Sequence, residues 1–506
     1  MSGISDIFPA VRSEHRQRGQ GVISADASHG LAETLEGSRK SWDFDPLLPT
    51  VGLIVLGAFV VLYCVNTVLY QTVLRFWVGD PWSYPFLDLM SHLSHIECFS
   101  KGEDVYVTNT CDPLALTHTP PRFNYSPLWL RLPSLAVIKA FMPVSGLCLA
   151  VVFLLALGFV PQPLGIKARA VSVLGLLSGA VVFCIERENV DIVMFLLALA
   201  GGLCLGKRLI VRYAGYGLFI TAALLKFYPA VLLSVAVRER PRVAIALAAA
   251  VAGISVVFIG AFHEELSRAL ANVPSGSAFG DMWGAVILPA GVNEFLPDAF
   301  GVLGYDAAWI ENLRRSHLVA VILYISLVPM SLVFAIGMTS VRAIRTAASL
   351  PLRVYLFLVL GGAVVSACFM LEPNAGYRGV WLLFVLPGTL ILGEIGSARR
   401  LFNWTAAATL LVMWSTPIRR IIGFVSGMDS SPGRMQVPQI LEWFVEQLAW
   451  WFLATVLLAV VFRFAMDGLP RWWHTSSLRG SGRIAPSPPL VPFGKNLPCV
   501  NPPHGK

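Results

Sequence analysis

Four short polar clusters in this chain hold residue types that could do chemistry together. They are Asp88 in Phe86-Leu87-Asp88-Leu89, the run Glu186-Arg187-Glu188-Asn189-Val190-Asp191, Lys226-Phe227-Tyr228-Pro229, and Asn374-Ala375-Gly376-Tyr377-Arg378. Each sits at the end of a hydrophobic stretch, where charge is expensive and its position points to function. A carboxylate facing several cations suggests a base beside a phosphate clamp. Asp88 suits a general base that takes a proton from an acceptor hydroxyl as it attacks a sugar carbon. One carboxylate suffices for inverting transfer, whereas retaining hydrolases use a close pair. Lys226 offers a point charge, and Arg378 a planar fork, to a lipid phosphate. Tyr228 or Tyr377 could stack on a sugar or carry a hydrogen bond.

Each residue also has a structural reading. Asp88 could cap a helix. Lys226 could snorkel to the interface, and Arg378 could pair with Glu372. Within the central run, Arg187 could neutralise its neighbours, while Asn189 and Asp191 could cap the next helix. Glu186 and Glu188 could instead orient an acceptor or assist a metal. His92 and His95, three residues apart, make only a weak ligand pair, and no spacing declares a metal site. No metal and no cofactor is expected. The chain also has no nucleotide-binding phosphate loop, no dinucleotide glycine fingerprint and no acyl-transfer nucleophile elbow.

The elements that must position these clusters are membrane helices. The chain has 506 residues, 56% hydrophobic and only 13% charged, against roughly 25% charged in soluble domains. Many apolar runs reach the roughly 17–25 residues needed to span hydrocarbon. The expected spans are 50–75, 143–160, 169–185, 189–206, 242–262, 318–340, 353–371, 379–396, 402–418 and 443–465. Residues 209–237 have basic groups at both ends, so they read as two short limbs turning at Lys226-Phe227-Tyr228-Pro229. This makes about 12 helices. Polar loops are expected at 78–126, 263–316 and 419–442; the first carries Asp80 and an amphipathic interfacial helix with Leu87, Met90, Leu93 and Ile96 on one face.

Residues 1–48 read as a disordered cytoplasmic tail rather than a cleavable leader, 49–466 as one transmembrane domain, and 467–506 as a disordered basic, Pro-rich tail. The net charge of +8 gathers in short turns between helices, as the positive-inside rule expects, and does not argue for nucleic acid. With both termini inside, all four clusters fall on the extracytoplasmic side. Most of the eight cysteines lie in apolar runs and read as packing. Cys98 and Cys111 share a polar external loop, where a structural disulfide could form.

These segments resemble glycosyltransferase family 87, membrane transferases of the GT-C fold that use polyprenyl-phosphate sugars. The likeness to their first external loop lies in Phe86-Leu87-Asp88-Leu89, Gly102-Glu103-Asp104-Val105-Tyr106 and Phe123-Asn124-Tyr125-Ser126-Pro127. Glu186 through Asp191 is similar to their Glu-Arg-Gly-Asn-x-Asp turn, Lys226 through Pro229 to their Lys-x-Tyr-Pro element, and Asn374 through Arg378 to their Asn-x-x-Tyr-Arg element. Glu188 stands where the family has glycine, and Ser126 where it has proline.

The resemblance implies an all-α, GT-C-like transmembrane bundle with Asp88 as catalytic aspartate. Lys226 and Arg378 would hold the donor phosphate. Tyr125, Glu186, Arg187, Asn189, Asp191, Tyr228, Asn374 and Tyr377 would line the substrate site. It implies a polyprenyl-phosphate hexose donor, mannose first among them, a glycolipid or surface-glycan acceptor, and a bacterial plasma membrane. A transporter or flippase of a lipid-linked glycan is the alternative; there the same cations would bind phosphate without a base.

Overall fold

The structure, a computed structural model, describes residues 44–78, 85–112, 122–273, 279–425 and 437–468. These are almost all helix. The one sheet among them pairs β1 (Met282–Trp283) antiparallel with β2 (Asn374–Ala375), Trp283 opposite Asn374. Among the described residues, six helices are long and apolar enough to cross a membrane, or up to nine if each bent pair counts as one. Three more apolar helices are shorter. Most of both expected tails, and Asp80, lie outside the described residues.

α1 (Leu47–Val65) ends at Asn66, whose extended backbone turns the chain. The Asn66 side chain accepts from Leu69 N at 3.0 Å and so caps α2 (Thr67–Val78). α2 folds back, and the rings of Phe59 and Tyr63 meet those of Tyr70 and Trp77 edge-on. The single span expected at 50–75 is therefore a hairpin, because an asparagine cap stops a helix that hydropathy alone would continue.

α3 (Leu87–Ser100) is the helix expected in the first loop, but most of its surface is buried, with Asp88, Glu97 and Ser100 keeping access to solvent. Leu87, Met90, Leu93 and Ile96 are buried, and so are Ser91, His92, Ser94 and His95 on its other sides. The following loop roofs it. The Cys98–Cys111 disulfide, a 2.6 Å pair between Lys139 and Glu97, and a 3.1 Å pair between Arg131 and Glu265 hold that roof in place.

α4 (Val144–Ala156) leads to α5 (Ile166–Leu176) and α6 (Gly179–Arg187), a path bent by 42°. The bend lies at Ser178, whose hydroxyl caps α6. α7 (Asp191–Leu205) and α8 (Leu209–Leu225) pack side by side. α8 stops at Lys226, and a 3-10 stretch, Tyr228–Arg238, returns along it from the expected turn. α9 (Pro241–Ala271) has 31 residues and kinks at Phe262. At about 1.5 Å per residue it exceeds the bilayer core, and its last turns carry Glu265 and Arg268 to the roof over α3.

The stretch expected as an irregular loop at 263–316 is largely helical. It holds the end of α9, then α10 (Ile287–Val302) and α11 (Ala307–Ser316), the latter capped by Asp306 accepting from Trp309 N. Its glycines and Pro297 obscure that periodicity in the sequence. α12 (Leu318–Met338), α13 (Leu352–Leu371) and α14 (Leu382–Glu394) follow. α15 (Arg399–Met413) and α16 (Ser415–Val425) form one path bent by 65°, and α17 (Val437–Gly468) is the last helix among the described residues. The described ends of the loop expected at 419–442 are thus helical too.

α13 is the axis of the bundle, with 83% of its apolar window buried. For α1, α9 and α12 the shares are 17%, 11% and 11%. Long helices that expose apolar side chains over most of their surface need a non-aqueous solvent. The chain is a multi-pass helical membrane protein.

Candidate functional site

The four polar clusters converge at one end of the bundle. Phe86 starts the approach in a left-handed conformation, φ 63°, and its N–H donates to the Glu186 carbonyl at 2.7 Å. Gly146 makes room for the Phe86 ring; a Cβ there would lie 2.4 Å from Phe86 Cδ2. This seats the first turn of α3 against the turn between α6 and α7. That turn reverses at Glu188, also left-handed at φ 50°. The Arg378 segment is seated by the β1–β2 pair. Gly284, at φ 146°, lets the chain leaving β1 pass the Glu372 carbonyl, which a Cβ would meet at 2.7 Å.

Asp88 lies inside the first turn of α3 and does not cap it. Its carboxylate accepts from Asn189 Nδ2 at 2.7 Å, and Arg187 Nη1 stands 3.9 Å from the other oxygen. Asn189 is the hub. Its Nδ2 also reaches Tyr125 Oη at 3.5 Å, and its Oδ1 accepts from Lys226 Nζ at 3.2 Å and from Asp191 N at 3.1 Å.

Asp191 is fully buried and shared. Lys226 Nζ lies 2.6 Å from its Oδ1, Tyr228 Oη donates to the same oxygen at 2.6 Å, and Arg378 Nε is 3.5 Å from Oδ2. Arg378 also pairs with Glu372 at 2.8 Å and bonds the Asn374 side chain. The Asn374 amide in turn donates to the Cys368 and Glu372 carbonyls. Trp381 Nε1 donates to Tyr228 Oη at 3.2 Å. Lys226 faces the rings of Tyr125 and Tyr228 at 5.2 and 5.7 Å, and Arg378 faces Tyr228 at 5.2 Å.

The structure therefore brings together Asp88, Tyr125, Arg187, Asn189, Asp191, Lys226, Tyr228, Asn374 and Arg378. Tyr377 joins through Phe183, whose ring lies 5.5 Å from the Tyr377 ring and 5.3 Å from the Arg187 guanidinium. Glu186 is buried against Arg187, its carboxylate 3.0 Å from Nε. Asp191 and Asn374 turn inward as braces, with no exposed side chain. Asp88 keeps 28% of its side chain exposed. Burial nevertheless pushes its carboxyl above the ordinary value of 3.8, against the pull of Arg187, the Asn189 hydrogen bond and Lys226.

Two neighbours escaped the sequence reading. Trp381 carries no polar signature in an apolar stretch. His92, weighed there only as a metal ligand, lies one helical turn beyond Asp88, 3% exposed. Its ring packs edge-on against Tyr125 and Trp129, both at 4.8 Å. Among the described residues, the only grouping of three metal-type donors is Cys98, Glu103 and Cys111, and its two cysteines are joined as a disulfide.

No protein-family model, curated protein or solved structure matches the chain. The geometry just described is therefore what bears on function.

Proposed function

We propose that this protein is an inverting membrane glycosyltransferase of the GT-C type, similar to glycosyltransferase family 87. It moves a hexose, mannose first among the candidates, from a polyprenyl-phosphate donor to a glycolipid or glycan acceptor. The observation that carries this reading is one partly exposed carboxylate, Asp88, held by Asn189 in a network with Arg187, Lys226 and Arg378. An apolar groove of about 210 Å3, lined by Val55, Phe59, Leu74, Leu147 and Ile185, reaches Phe86 and Glu186, the chain neighbours of Asp88 and Arg187. A donor that is half lipid and half sugar phosphate needs these two surfaces side by side.

In this reading the Asp88 carboxylate takes the proton of an acceptor hydroxyl. The hydroxyl oxygen bonds to the anomeric carbon, the bond from that carbon to the phosphate oxygen breaks, and the electron pair leaves on polyprenyl phosphate. Lys226 has three N–H donors, of which Asp191 and Asn189 take two. The third, together with the Arg378 fork, meets the charge growing on the phosphate. Held fixed by Asp191, these cations need little reorganisation and act in a water-poor site. The opposite ends of the helices carry Lys167, Arg169, Lys207, Arg208, Arg238 and Arg240. That asymmetry supports an extracytoplasmic site in a bacterial plasma membrane.

The test is transfer by the purified full chain in nanodiscs, given radiolabelled polyprenyl-phosphate mannose and a membrane lipid extract. Asp88→Asn should cut transfer by about 100-fold or more at unchanged stability. Equal transfer by Asp88→Asn removes Asp88 from this role. Silence of the wild type with mannose, glucose and pentose donors overturns the reading and favours a carrier of lipid-linked glycans.

A further inference from the structure

Resting on that reading, we propose that His92 binds a hydroxyl of the transferred sugar, so that the His92–Tyr125–Trp129 aromatic box is the sugar subsite. The argument starts from an imbalance within one helix. His92 and His95 are equally buried, each 3% exposed. His95 Nδ1 bonds the Ser91 carbonyl at 2.8 Å. Both ring nitrogens of His92 are buried, and neither has a hydrogen-bond partner among the described residues. A buried polar group left unpaired loses its water without compensation, and such groups in native proteins call for an explanation. Packing alone does not supply one, because a phenylalanine would fill the same aromatic surroundings without that loss.

Position adds the direction. His92 follows Asp88 by four residues, so both side chains lie on one face of α3. Asp88 is the opening to that face, with 28% of its side chain exposed. The Tyr125 ring that His92 touches is also the ring that Lys226 faces at 5.2 Å. Asn189 Nδ2 reaches both Asp88 and Tyr125, so the base, the imidazole and Lys226 all border on the Tyr125 ring. Burial, with His95 and Lys226 nearby, pushes the His92 pKa down to about 3, so the ring is neutral. A neutral imidazole has one donor and one acceptor, and a sugar hydroxyl offers both complements. The flanking Tyr125 and Trp129 rings supply the apolar faces on which a sugar's C–H surface packs.

The test uses the full chain in nanodiscs, with polyprenyl-phosphate mannose and its mono-deoxy analogues as donors. His92→Phe should lower kcat/KM about tenfold or more, leaving thermal stability of the unliganded protein equal or higher. Wild type should discriminate against one deoxy donor, and His92→Phe should lose that discrimination. His92→Asn or His92→Gln, which restore an amide donor and acceptor, should recover part of the rate. Transfer by His92→Phe within twofold of wild type, with deoxy discrimination intact, overturns the inference while the transferase reading stands. A parallel loss of stability and rate in all three variants assigns His92 to packing and likewise overturns it. A wild type inactive with every hexose donor overturns both.

Discussion

Removing Asp191 should unsettle the protein whatever the protein does, because this carboxylate holds two cations inside the bundle. Asp191 is fully buried, 2.6 Å from Lys226 Nζ and 3.5 Å from Arg378 Nε, and it accepts from Tyr228 at 2.6 Å. Arg378 retains Glu372 at 2.8 Å, so Lys226 bears most of the loss. Breaking a buried pair by deleting one partner leaves an uncompensated charge and costs about 3–5 kcal/mol. Asp191→Ala belongs toward the upper figure. Asp191→Asn belongs nearer about 3 kcal/mol, since an amide oxygen can still accept from Lys226 and Tyr228. At about 1.4 kcal/mol per decade, the unfolding constant should rise by about two decades for Asn and three or more for Ala. An SDS titration in mixed micelles, followed by fluorescence of the 14 tryptophans, reads this directly. The double variant Asp191→Ala with Lys226→Met should recover about 1–3 kcal/mol relative to additivity. A midpoint for Asp191→Ala equal to wild type, or strict additivity in the double variant, refutes the reasoning.

Three further outcomes follow from the same geometry. Glu188→Gly should stabilise the protein by about 1–2 kcal/mol, because a side chain at φ 50° is strained; a lower midpoint in the same titration contradicts this. Gly146→Val should cost about 1–3 kcal/mol by pushing the Phe86 ring aside, and transfer should fall further than stability does as Asp88 moves with it. In pH dependence, a base must be ionised and the Asp88 carboxyl is raised above 3.8. Transfer should therefore rise with pH along an acid limb lying above that value and lost in Asp88→Asn; a kcat/KM profile with its limb at or below 3.8 counts against it. The linked stability term has the opposite sense: a raised folded pKa favours the fold at low pH and is lost as pH rises through it.

The sites of chain reversal were partly legible. Lys226-Phe227-Tyr228-Pro229 announces a break through proline and charge, and the structure breaks there. Asn66 gives an equally local signal, a cap residue before Thr67, but an uninterrupted apolar run outweighed it. α10 and α11 read as loop in the sequence because Pro297 and the glycines around them resemble turn signals, while both pack against α12 as helices. The polar face of α3 was expected to meet water, and only its roof, brought in by Arg131, Lys139 and Arg268, dries it.

From the sequence alone it follows that this is a helical membrane protein whose charged clusters stand at helix ends, because hydrocarbon demands apolar stretches of a set length and excludes unpaired charge. Which helix becomes the axis does not follow. α1 and α13 have equal mean hydropathy, yet 17% of one window is buried and 83% of the other. Lipid and protein interior are alike in polarity, so composition cannot tell a lipid-facing helix from a central one. Nor does it follow that Asp191 serves as counter-ion to Lys226 and Arg378, or that His92 is buried beside Asp88 with both nitrogens unpaired. Asp88 with Asn189, and Asp191 with Lys226 and Arg378, are partners from segments far apart in the chain, and only the tertiary packing of the helices brings them into contact.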